Sequence, residues 1–500
     1  MMIVTTQQNM TREPVYVFEN NIYYQPDASS SAQRLVSTGK EGVLLNGVSD
    51  WLYEEEVLQS YAAHWWSGDG ARLAYLTINN SATPNMEIPH FLGGAYPSSS
   101  RYPYPKAGQP IPTVRLFVVN LYGLAHTLEL IPPDSFRTRE YYLSMVKWIS
   151  STSLAVRWLT RPQSQSALTI CEATTGACLE QEEPLFSQDG STFFLTLPVK
   201  QGARGEFQHI ALLSTQAAAP TTPSRFLTSG NWDVTSLCAL DERRGKIYFL
   251  STENSPRSRH LYSDGTPGSQ SVTEQFALDW ASVLSSSLGA VLARLDGRGS
   301  GNQGQKLQQA VRQKLGSAEV KDHLRAVEWL IQQPYIDHTR IALYGKAYGG
   351  YLTLKMLAAT DGQFKCAAAF APITDFSLYD AAFSERYLGL PSKEDGLYAA
   401  ASLLEEAHRL RDERFLLIHA TADGAHRKHA GKEAFQPLCL LCHAESNPLL
   451  LLLLQIQPDE GHALQSDRSR QHLIRTLVRY FLGCLQNPRR RSSERQEDEY

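Results

Sequence analysis

The feature that most constrains the fold is an apolar stretch that runs into a cluster of glycines, residues 340–352 (RIALYGKAYGGYL). The pattern predicts a β-strand that turns sharply into an α-helix, because glycines permit the tight turn and close backbone approach that this requires. The motif G-x-S-x-G, called a nucleophile elbow, has this arrangement and lifts a serine hydroxyl above a sheet. In this chain the serine position holds Ala347.

The elbow therefore lacks a nucleophilic side chain. A methyl group cannot act as a nucleophile, and no Ser, Thr or Cys lies between Ile341 and Leu352 to replace it. The sequence predicts the framework of a hydrolase without its reactive group.

The second half of the chain alternates strand and helix patterns, which predicts a doubly wound α/β domain. The predicted strands are residues 288–295, 341–344, 364–371, 415–419 and 449–456, and the leucine run in the last is expected to be a buried central strand. Apolar residues at helical spacing are Val320, Leu324, Val327 and Ile331, and later Leu473, Leu477, Phe481 and Cys484.

Two further residues have the order and context of a catalytic triad. In α/β-hydrolases the nucleophile, the acid and the histidine follow successive strands in that order. Asp423 follows the predicted strand 415–419, and His462 follows the leucine-rich strand. With Ala347 at the elbow, two of the three members remain.

The first half of the chain consists of short β-segments separated by turn residues. Hairpins are predicted across residues 15–24, 65–75 and 147–156. Trp66 and Trp148 are separated by about two lengths of a propeller blade of ~41 residues, which favours a β-propeller. A β-sandwich remains the alternative, because blades without a strict signature resemble Greek-key strands.

Composition excludes several classes of function. A net charge of -4 and a pI near 6.4 give no electrostatic reason to expect nucleic acid as a partner. No window approaches the ~20 apolar residues of a membrane helix, and the first ten residues do not form a signal peptide. Read literally, the chain is soluble, and neither a metal nor a cofactor is expected.

The cysteines and two sequons point to a secretory route. Cys171 and Cys178 flank a turn at a spacing that suits a disulfide across a hairpin, whereas Cys439 and Cys442 lack partners at zinc spacing. Asn9 and Asn79 begin N-glycosylation tripeptides. The charged tail, residues 488–500, is expected to be disordered.

Several motifs together resemble the dipeptidyl peptidase IV branch of the prolyl oligopeptidase family. They are residues 50–57 (DWLYEEEV), 101–108 (RYPYPKAG), 296–301 (DGRGSG), 345–351 (GKAYGGY), 383–391 (FSERYLGLP) and 421–423 (TAD). The resemblance covers nearly the whole chain. It implies an eight-bladed propeller and an α/β-hydrolase domain, and active members of the family remove dipeptides after proline or alanine from peptide N-termini.

The resemblance also implies roles for individual residues. Glu55 and Glu56 match the acidic pair that holds the substrate amine, and two carboxylates suit an ammonium group. The remaining positions are Tyr379 and Arg386, which match pocket residues, Phe383 and Ala425, which replace a tyrosine and an asparagine, and Asp264, which replaces the oxyanion-hole tyrosine. A carboxylate there would repel the negative charge that develops during the reaction.

Within the family, the chain is most similar to the non-catalytic dipeptidyl aminopeptidase-like proteins. The similarity rests on Lys346 in place of tryptophan, on Ala347, and on residues 264–269 (DGTPGS) and 382–387 (AFSERY). It implies an auxiliary subunit of A-type voltage-gated potassium channels, a type II single-pass membrane glycoprotein whose ectodomain faces outward at the plasma membrane. It further implies a possible homodimer, a disulfide between Cys366 and Cys484, and the Cys171–Cys178 bridge.

When its sequence is compared with the pattern of the family, the chain is expected to be a fragment. By the resemblance, the sequence begins inside the propeller, after the position of the family's membrane helix. Near Asp264 the propeller-like sequence is followed almost directly by hydrolase-like sequence. The expected domains are residues 1–262, a partial propeller of five or six blades, and residues 263–487, a partial hydrolase domain. Unpaired blade edges and part of a sheet face would then be exposed.

Two alternative functions remain open at this stage. One is an active serine dipeptidyl peptidase. The other is a decoy that binds peptides through Glu55 and Glu56 without cleaving them.

Overall fold

A computed structural model describes most of the chain between residues 15 and 486. The described ranges are 15–26, 29–91, 96–121, 126–181, 185–186, 192–200, 206–214, 225–241, 246–251, 267, 269, 272, 280–301, 305–421, 453–462, 464 and 466–486. Two compact units divide the chain. The first contains residues 1–88, 99–185 and 376–398, and the second contains residues 89–98, 186–375 and 399–500.

Short strands dominate the first half of the chain, as the turn-rich pattern predicts. They are β1 (Val15–Phe18), β2 (Asn21–Tyr24), β3 (Gln33–Arg34), β4 (Leu44–Asn46), β5 (His64–Trp66), β6 (Arg72–Asn79), β7 (Asn85–His90), β8 (Ser98–Pro103), β9 (Thr113–Asn120), β10 (Thr127–Leu130), β11 (Tyr141–Trp148), β12 (Ser153–Thr160), β13 (Ser166–Glu172), β14 (Cys178–Gln181), β15 (Leu185–Phe186), β16 (Thr192–Lys200), β17 (Glu206–Ser214), β18 (Arg225–Phe226), β19 (Val234–Asp241) and β20 (Lys246–Ser251). One π-helical turn, Tyr53–Val57, interrupts them.

Helices and strands alternate in the second half. The strands are β21 (Ala342–Lys346), β22 (Cys366–Phe370), β23 (Phe415–Ala420) and β24 (Leu453–Gln457). The α-helices are α1 (Trp280–Leu288), α2 (Gln305–Gln308), α3 (Ala318–Ile331), α4 (Tyr348–Ala358), α5 (Ala381–Leu388), α6 (Asp395–Ala401) and α7 (Asp467–Leu485), and 3₁₀-helices span Gln309–Val311 and Leu404–Leu410.

The first unit is built from antiparallel sheets of neighbouring strands. The sheets are β1–β2–β3, then β10–β9–β6–β4 with β5 on β6, then β11–β12–β13–β14. All three predicted hairpins are confirmed: Val17 pairs with Ile22, Trp66 with Leu73, and Trp148 with Leu154.

A continuous apolar core stabilises these sheets because alternate residues of each strand point inward. Leu76, Leu116, Val156 and Trp158 are fully or almost fully buried in it. The Trp158 indole N–H, which needs a partner when buried, donates to Thr169 Oγ1 at 2.8 Å. Cys171 and Cys178, opposite each other on β13 and β14, form the expected disulfide.

The second unit contains two more antiparallel sheets and one parallel sheet. The antiparallel ones are β15–β16–β17–β18 and β19–β20, and the parallel sheet has the order β21–β22–β23–β24. Strand β22 (CAAAF) is buried throughout, which explains its apolar sequence. Helix α7 packs Leu477 and Phe481 into the core of this sheet, and the disulfide between Cys366 and Cys484 joins β22 to α7.

One predicted strand is wrong. Residues 289–295 form no ladder with any strand in the described part of the chain, and Val291 and Leu292 are 57% and 47% exposed. Helix α1 ends where Gly289 adopts φ +63°, a conformation that glycine accommodates best. An apolar run becomes a strand only when a neighbouring strand pairs with it, and sequence alone does not reveal whether that neighbour is present.

The leucine-rich strand is confirmed only in part. Its first residues, 449–452, lie outside the described residues, and β24 spans Leu453–Gln457. Leu454 and Ile456 are 43% and 38% exposed, so the expected central burial is wrong for them. Strand β24 pairs with β23 alone among the described strands, so it lies at an edge of the described part of the sheet and not at its centre.

No helix within the described ranges is both long and apolar enough to cross a bilayer.

Candidate functional site

The elbow has the geometry that its glycines predict. Gly345 ends β21 where an added β-carbon would collide with the Gly349 carbonyl oxygen, and a β-carbon on Gly350 would lie 3.2 Å from the Phe370 carbonyl oxygen. Between them Ala347 adopts φ 53° and ψ -120°, immediately before α4. This left-handed conformation is unusual for a residue with a side chain, and it is the conformation of a residue at the apex of a strained turn.

Backbone and side-chain hydrogen bonds hold the apex in place. The Ala347 N–H donates to the Phe370 carbonyl at 2.8 Å, and its own carbonyl accepts from Tyr351 N–H at 3.1 Å. The Tyr348 hydroxyl donates to Glu319 Oε1 at 2.6 Å. Burial raises the pKa of the Glu319 carboxyl, and the hydrogen bond from Tyr348 opposes that rise. The turn is therefore preserved although Ala347 offers only a methyl group.

His462 lies close to the elbow. Its ring stacks on Phe370 with centroids 6.4 Å apart, and the same Phe370 ring lies 5.6 Å from Lys346 Nζ. Phe370 is also the residue whose carbonyl anchors Ala347. The structure thus brings the histidine and nucleophile positions of the predicted triad to one buried residue, Phe370, the histidine through the ring and Ala347 through the backbone carbonyl.

Three predicted site residues cannot be placed. Asp423, Ala425 and Asp264 lie outside the described residues, as does the sequon residue Asn9. Asn79, at the end of β6, is half-buried, and its side-chain oxygen accepts from Ser81 N–H at 3.0 Å.

The acidic pair lies in the first unit, on the π-helical turn Tyr53–Val57, which we call the acidic turn. Glu55 is exposed and Glu56 is half-buried, whereas Asp50, immediately before the turn, is buried. The Asp50 Oδ1 atom accepts from the Tyr53 N–H at 2.9 Å, which satisfies a backbone donor at the start of the turn. Desolvation raises the pKa of Glu54, and the neighbouring Glu55 adds to the rise.

The pocket residues lie on or beside helix α5, in the same unit. Asp380 caps the helix by accepting from Phe383 N–H at 2.8 Å. Its carboxyl is fully buried, and desolvation, with the charge of Glu56 as the next cause, raises its pKa well above the usual value. The Phe383 ring packs edge-on against Tyr379 at 5.5 Å. The acidic turn and the predicted pocket residues therefore belong to one electrostatically coupled cluster.

Sequence reasoning missed the residues that fix α5. Arg161 donates to both carboxylate oxygens of Glu385, from Nε at 2.8 Å and Nη2 at 2.7 Å, and also to Glu140 at 2.9 Å. Gln163, at φ 53°, donates to the Ala382 carbonyl at 2.8 Å and accepts from Arg386 Nε at 2.7 Å. The motif at residues 383–391 contains charged side chains. Their pairing partners could not be predicted, because those partners lie far away along the chain.

Within the described ranges, no group of three or more His, Cys, Asp or Glu side chains is arranged to hold a metal ion.

Comparison with known families gives two matches along the chain. Residues 9–297 match the dipeptidyl peptidase IV N-terminal region, and residues 276–488 match the prolyl oligopeptidase family. Because the two matches overlap, they do not fix a boundary between domains.

Similar proteins are found among curated sequences and solved structures. Mouse inactive dipeptidyl peptidase 10 is 43% identical over 598 positions, which cover 94% of this chain and 74% of the relative. Pig dipeptidyl peptidase 4 is 28% identical and covers 95% of this chain and 78% of the relative. The crystal structure of Porphyromonas gingivalis dipeptidyl peptidase 4 superposes with a TM-score of 0.80 at 23% identity, covering 97% of this chain and 83% of that chain.

The alignment with the mouse relative also bears on the expected internal gap. It spans 598 positions, more than the 500 residues of this chain, so the relative has residues at positions where this chain has none.

Proposed function

Because the chain belongs to the prolyl oligopeptidase family, with a β-propeller followed by an α/β-hydrolase domain as in dipeptidyl peptidase IV, we propose that it is a catalytically inactive regulatory member. By the same resemblance, it acts as an auxiliary subunit of A-type voltage-gated potassium channels, raising their surface expression and modulating their gating. Its place is the plasma membrane, with the ectodomain outside the cell. We propose that the propeller domain ends at residue 262 and that the hydrolase domain begins at residue 263.

The observation that carries the inactive assignment is Ala347 at the apex of an intact elbow. Its φ of 53° and its hydrogen bond to the Phe370 carbonyl fix it at the apex of the turn, where a serine hydrolase has its nucleophile. Its side chain has no atom that can attack a carbonyl. In a serine hydrolase, loss of the nucleophile alone lowers turnover by ~10⁶. A site that retains the turn without the nucleophile supports a structural or regulatory role.

Co-expression tests the channel role. The chain is expressed in cells with an A-type potassium channel pore subunit, and current density, inactivation kinetics and surface labelling of the pore are compared with the pore alone. We expect faster inactivation and more pore at the surface. Unchanged gating and unchanged surface density would refute the auxiliary-subunit proposal while leaving the inactive assignment untouched.

Hydrolysis of a glycyl-prolyl chromogenic substrate tests the inactive assignment separately. We expect no turnover above the buffer rate under conditions in which an active dipeptidyl peptidase consumes the substrate. Turnover that is abolished by His462→Ala would establish the alternative, an active serine dipeptidyl peptidase.

A second candidate function, a peptide-binding decoy, is favoured by the acidic turn. Glu55 and Glu56 remain beside Asp380 and the aromatic residues of α5, a combination that suits a protonated peptide N-terminus. Calorimetry with a Xaa-Pro peptide tests it. Binding that is lost in Glu55→Gln and kept in the exposed control Glu41→Gln would support the decoy, and the absence of heat in all three proteins would exclude it.

A further inference from the structure

The outer face of the last helix, α7, carries a row of basic side chains that the proposed function does not use. We call Arg468, His472, Arg475 and Arg479 the basic stripe. All four are exposed. Their spacing of four, three and four residues places them within about 60° of one another around the helix axis, because successive residues of an α-helix are ~100° apart.

The basic stripe faces away from the hydrophobic core. The buried side chains of α7 are those of Leu477, Tyr480, Phe481 and Cys484, and they pack into the core of the parallel sheet. By the same helical geometry, the centre of this buried face lies about 160° around the axis from the centre of the basic stripe. The charged row is therefore presented directly to solvent.

No acidic side chain balances this row from within the helix. Asp467 is the sole acid in the α7 sequence, and it pairs with Arg470, which lies outside the stripe. Within the described ranges, none of the four stripe side chains forms an ion pair or a hydrogen bond. Like charges at these spacings repel, and Arg468 also lies at the helix N-terminus, where the dipole disfavours a cation. An anionic partner would relieve both effects.

A second copy of the same helix does not supply that partner. A twofold-symmetric pair centred on α7 would bring the stripes of the two copies together, because the same surface patch of each copy meets at such an interface. Arginines would then face arginines. The occupant of the stripe must carry the opposite charge.

The sequence that follows α7 contains a segment of the required charge. Residues 494–499 (ERQEDE) hold four carboxylates, and we call them the acidic segment. Between the helix and this segment, residues 489–491 are three arginines, which suit the C-terminal end of the helix because the helix dipole is negative there. The two blocks of charge are thus ordered so that a chain turning back along α7 matches each block with its complement.

The connection is long enough for this contact. From Leu485, the last residue of α7, the chain to Glu497 can span up to ~40 Å when extended. The far end of the stripe, Arg468, lies only ~26 Å back along the helix axis. A short tether also keeps the segment at an effective concentration in the millimolar range, which suits a contact made of individually weak, exposed ion pairs.

We propose that the acidic segment, residues 494–499, binds the basic stripe of α7 in the same chain. Arginine guanidinium groups donate paired hydrogen bonds to carboxylates, so three arginines in a row suit a run of acidic side chains. The bound segment covers the outer face of α7, and another anionic partner reaches the stripe only after the segment is released. Because the contact consists of exposed charges, added salt releases it.

Cleavage of the full chain by a glutamate-specific protease tests the contact. The bond after Glu494 is followed by mass spectrometry at low and at high sodium chloride concentration, about 20 mM and about 500 mM, because a bound segment is cleaved more slowly than a released one. We expect cleavage at low salt to be about three- to tenfold slower than at high salt.

Two matched variants separate this contact from a general effect of charge. Arg475→Glu with Arg479→Glu reverses two charges of the stripe, and its cleavage at low salt should be about three- to tenfold faster than that of the unaltered chain. Arg312→Glu with Arg325→Glu makes the same change in net charge at exposed positions outside the stripe, and its rate should equal that of the unaltered chain. Equal rates in the stripe variant and the unaltered chain would overturn the proposal.

A charge swap shows whether the stripe variant acts through the contact or through the stability of α7. Glu497→Lys and Asp498→Lys, added to the stripe variant, place lysines opposite the new glutamates and retain the bond after Glu494. The rate at low salt should return toward that of the unaltered chain, and a rate that stays high would overturn the direct contact. Protection should also be independent of protein concentration. Protection that increases with concentration would assign the acidic segment to a second copy and overturn the contact within one chain.

Discussion

At the residue scale, Ala347 shows that this chain keeps the backbone conformation of a catalytic turn without a nucleophilic side chain. The turn is maintained by Gly345, Gly350 and the hydrogen bond to Phe370, none of which requires a serine. A seryl side chain fits the same backbone conformation, so Ala347→Ser should fold normally. The question is whether the rest of the site would use the new hydroxyl.

We expect Ala347→Ser to remain inactive. In an otherwise intact site, restoring the nucleophile would recover a factor of ~10⁶. By the family resemblance, Asp264 is expected at the position of the oxyanion-hole donor, and Phe383 and Ala425 are expected to replace polar side chains. Hydrolysis of the glycyl-prolyl substrate should therefore rise by less than about tenfold. Circular dichroism verifies the fold, and a larger recovery would mean that the nucleophile alone has been lost.

Asp50 gives the chain a defined pH dependence. Its pKa rises from 3.8 to about 6 on folding because of burial, so the folded state binds this proton more tightly than the unfolded state. The resulting stabilisation is complete below 3.8 and is lost as the pH rises through 6. The phenol of Tyr53, which faces Asp50, does not interfere because burial raises its pKa further above neutrality.

The measurement compares the unaltered chain with Asp50→Asn. Between pH 4 and pH 7 the free energy of unfolding of the unaltered chain should fall by about 2 kcal/mol relative to the variant. Parallel pH profiles for the two proteins would contradict the assigned shift.

At the element scale, helix α5 depends on a buried ion pair that fastens it to β-strand loops of its own unit. Arg161 and Glu385 are 10% and 0% exposed and share two hydrogen bonds below 3 Å. Removing one partner of such a pair leaves an uncompensated charge. Arg161→Met should therefore lower the free energy of unfolding by about 3–5 kcal/mol, measured by urea denaturation.

Two comparisons establish the cause. Arg161→Met combined with Glu385→Met leaves no buried charge behind, because the remaining partner Glu140 has a side chain that is 55% exposed, and it should lose less stability than the single variant. Arg137→Met disrupts a pair with side chains 55% and 89% exposed, and should cost less than about 1 kcal/mol. If the double variant is less stable than the single one, packing and not charge dominates at this position.

The elements show what a sequence can and cannot predict. Hairpins whose partners are adjacent in sequence, such as β1–β2 and β11–β12, were predicted correctly because the turn fixes the pairing. The strand predicted at residues 288–295 failed because its pairing depends on a distant neighbour. For the same reason the elbow at Ala347 was foreseen, whereas the clamp of Arg161 on Glu385 was not.

At the scale of the whole molecule, the two family matches account for almost the entire chain yet overlap at residues 276–297. The overlap coincides with the segment in which the predicted strand is absent. The mouse relative has residues at positions where this chain has none. The family resemblance gave the fold of both parts, but only coordinates could reveal which apolar residues of the overlapping segment are left uncovered.

Those uncovered residues lead to the last prediction. Val291, Leu292 and Leu295 are 57%, 47% and 37% exposed within one short segment, and clustered apolar exposure promotes association. Val291→Lys with Leu292→Lys should reduce binding of a hydrophobic dye and raise the temperature at which aggregation begins. Because both side chains are largely solvated, the free energy of unfolding should change by less than about 0.5 kcal/mol.

A matched variant distinguishes clustered from isolated exposure. Trp329→Lys removes a single side chain that is 59% exposed on helix α3, outside the segment 291–295, and its effect on dye binding should be smaller than that of the double variant. If instead the double lysine variant loses about 2 kcal/mol or more, these side chains are buried in solution. That outcome would mean that residues 288–295 are the sheet strand that their sequence indicates, paired with a neighbour from elsewhere.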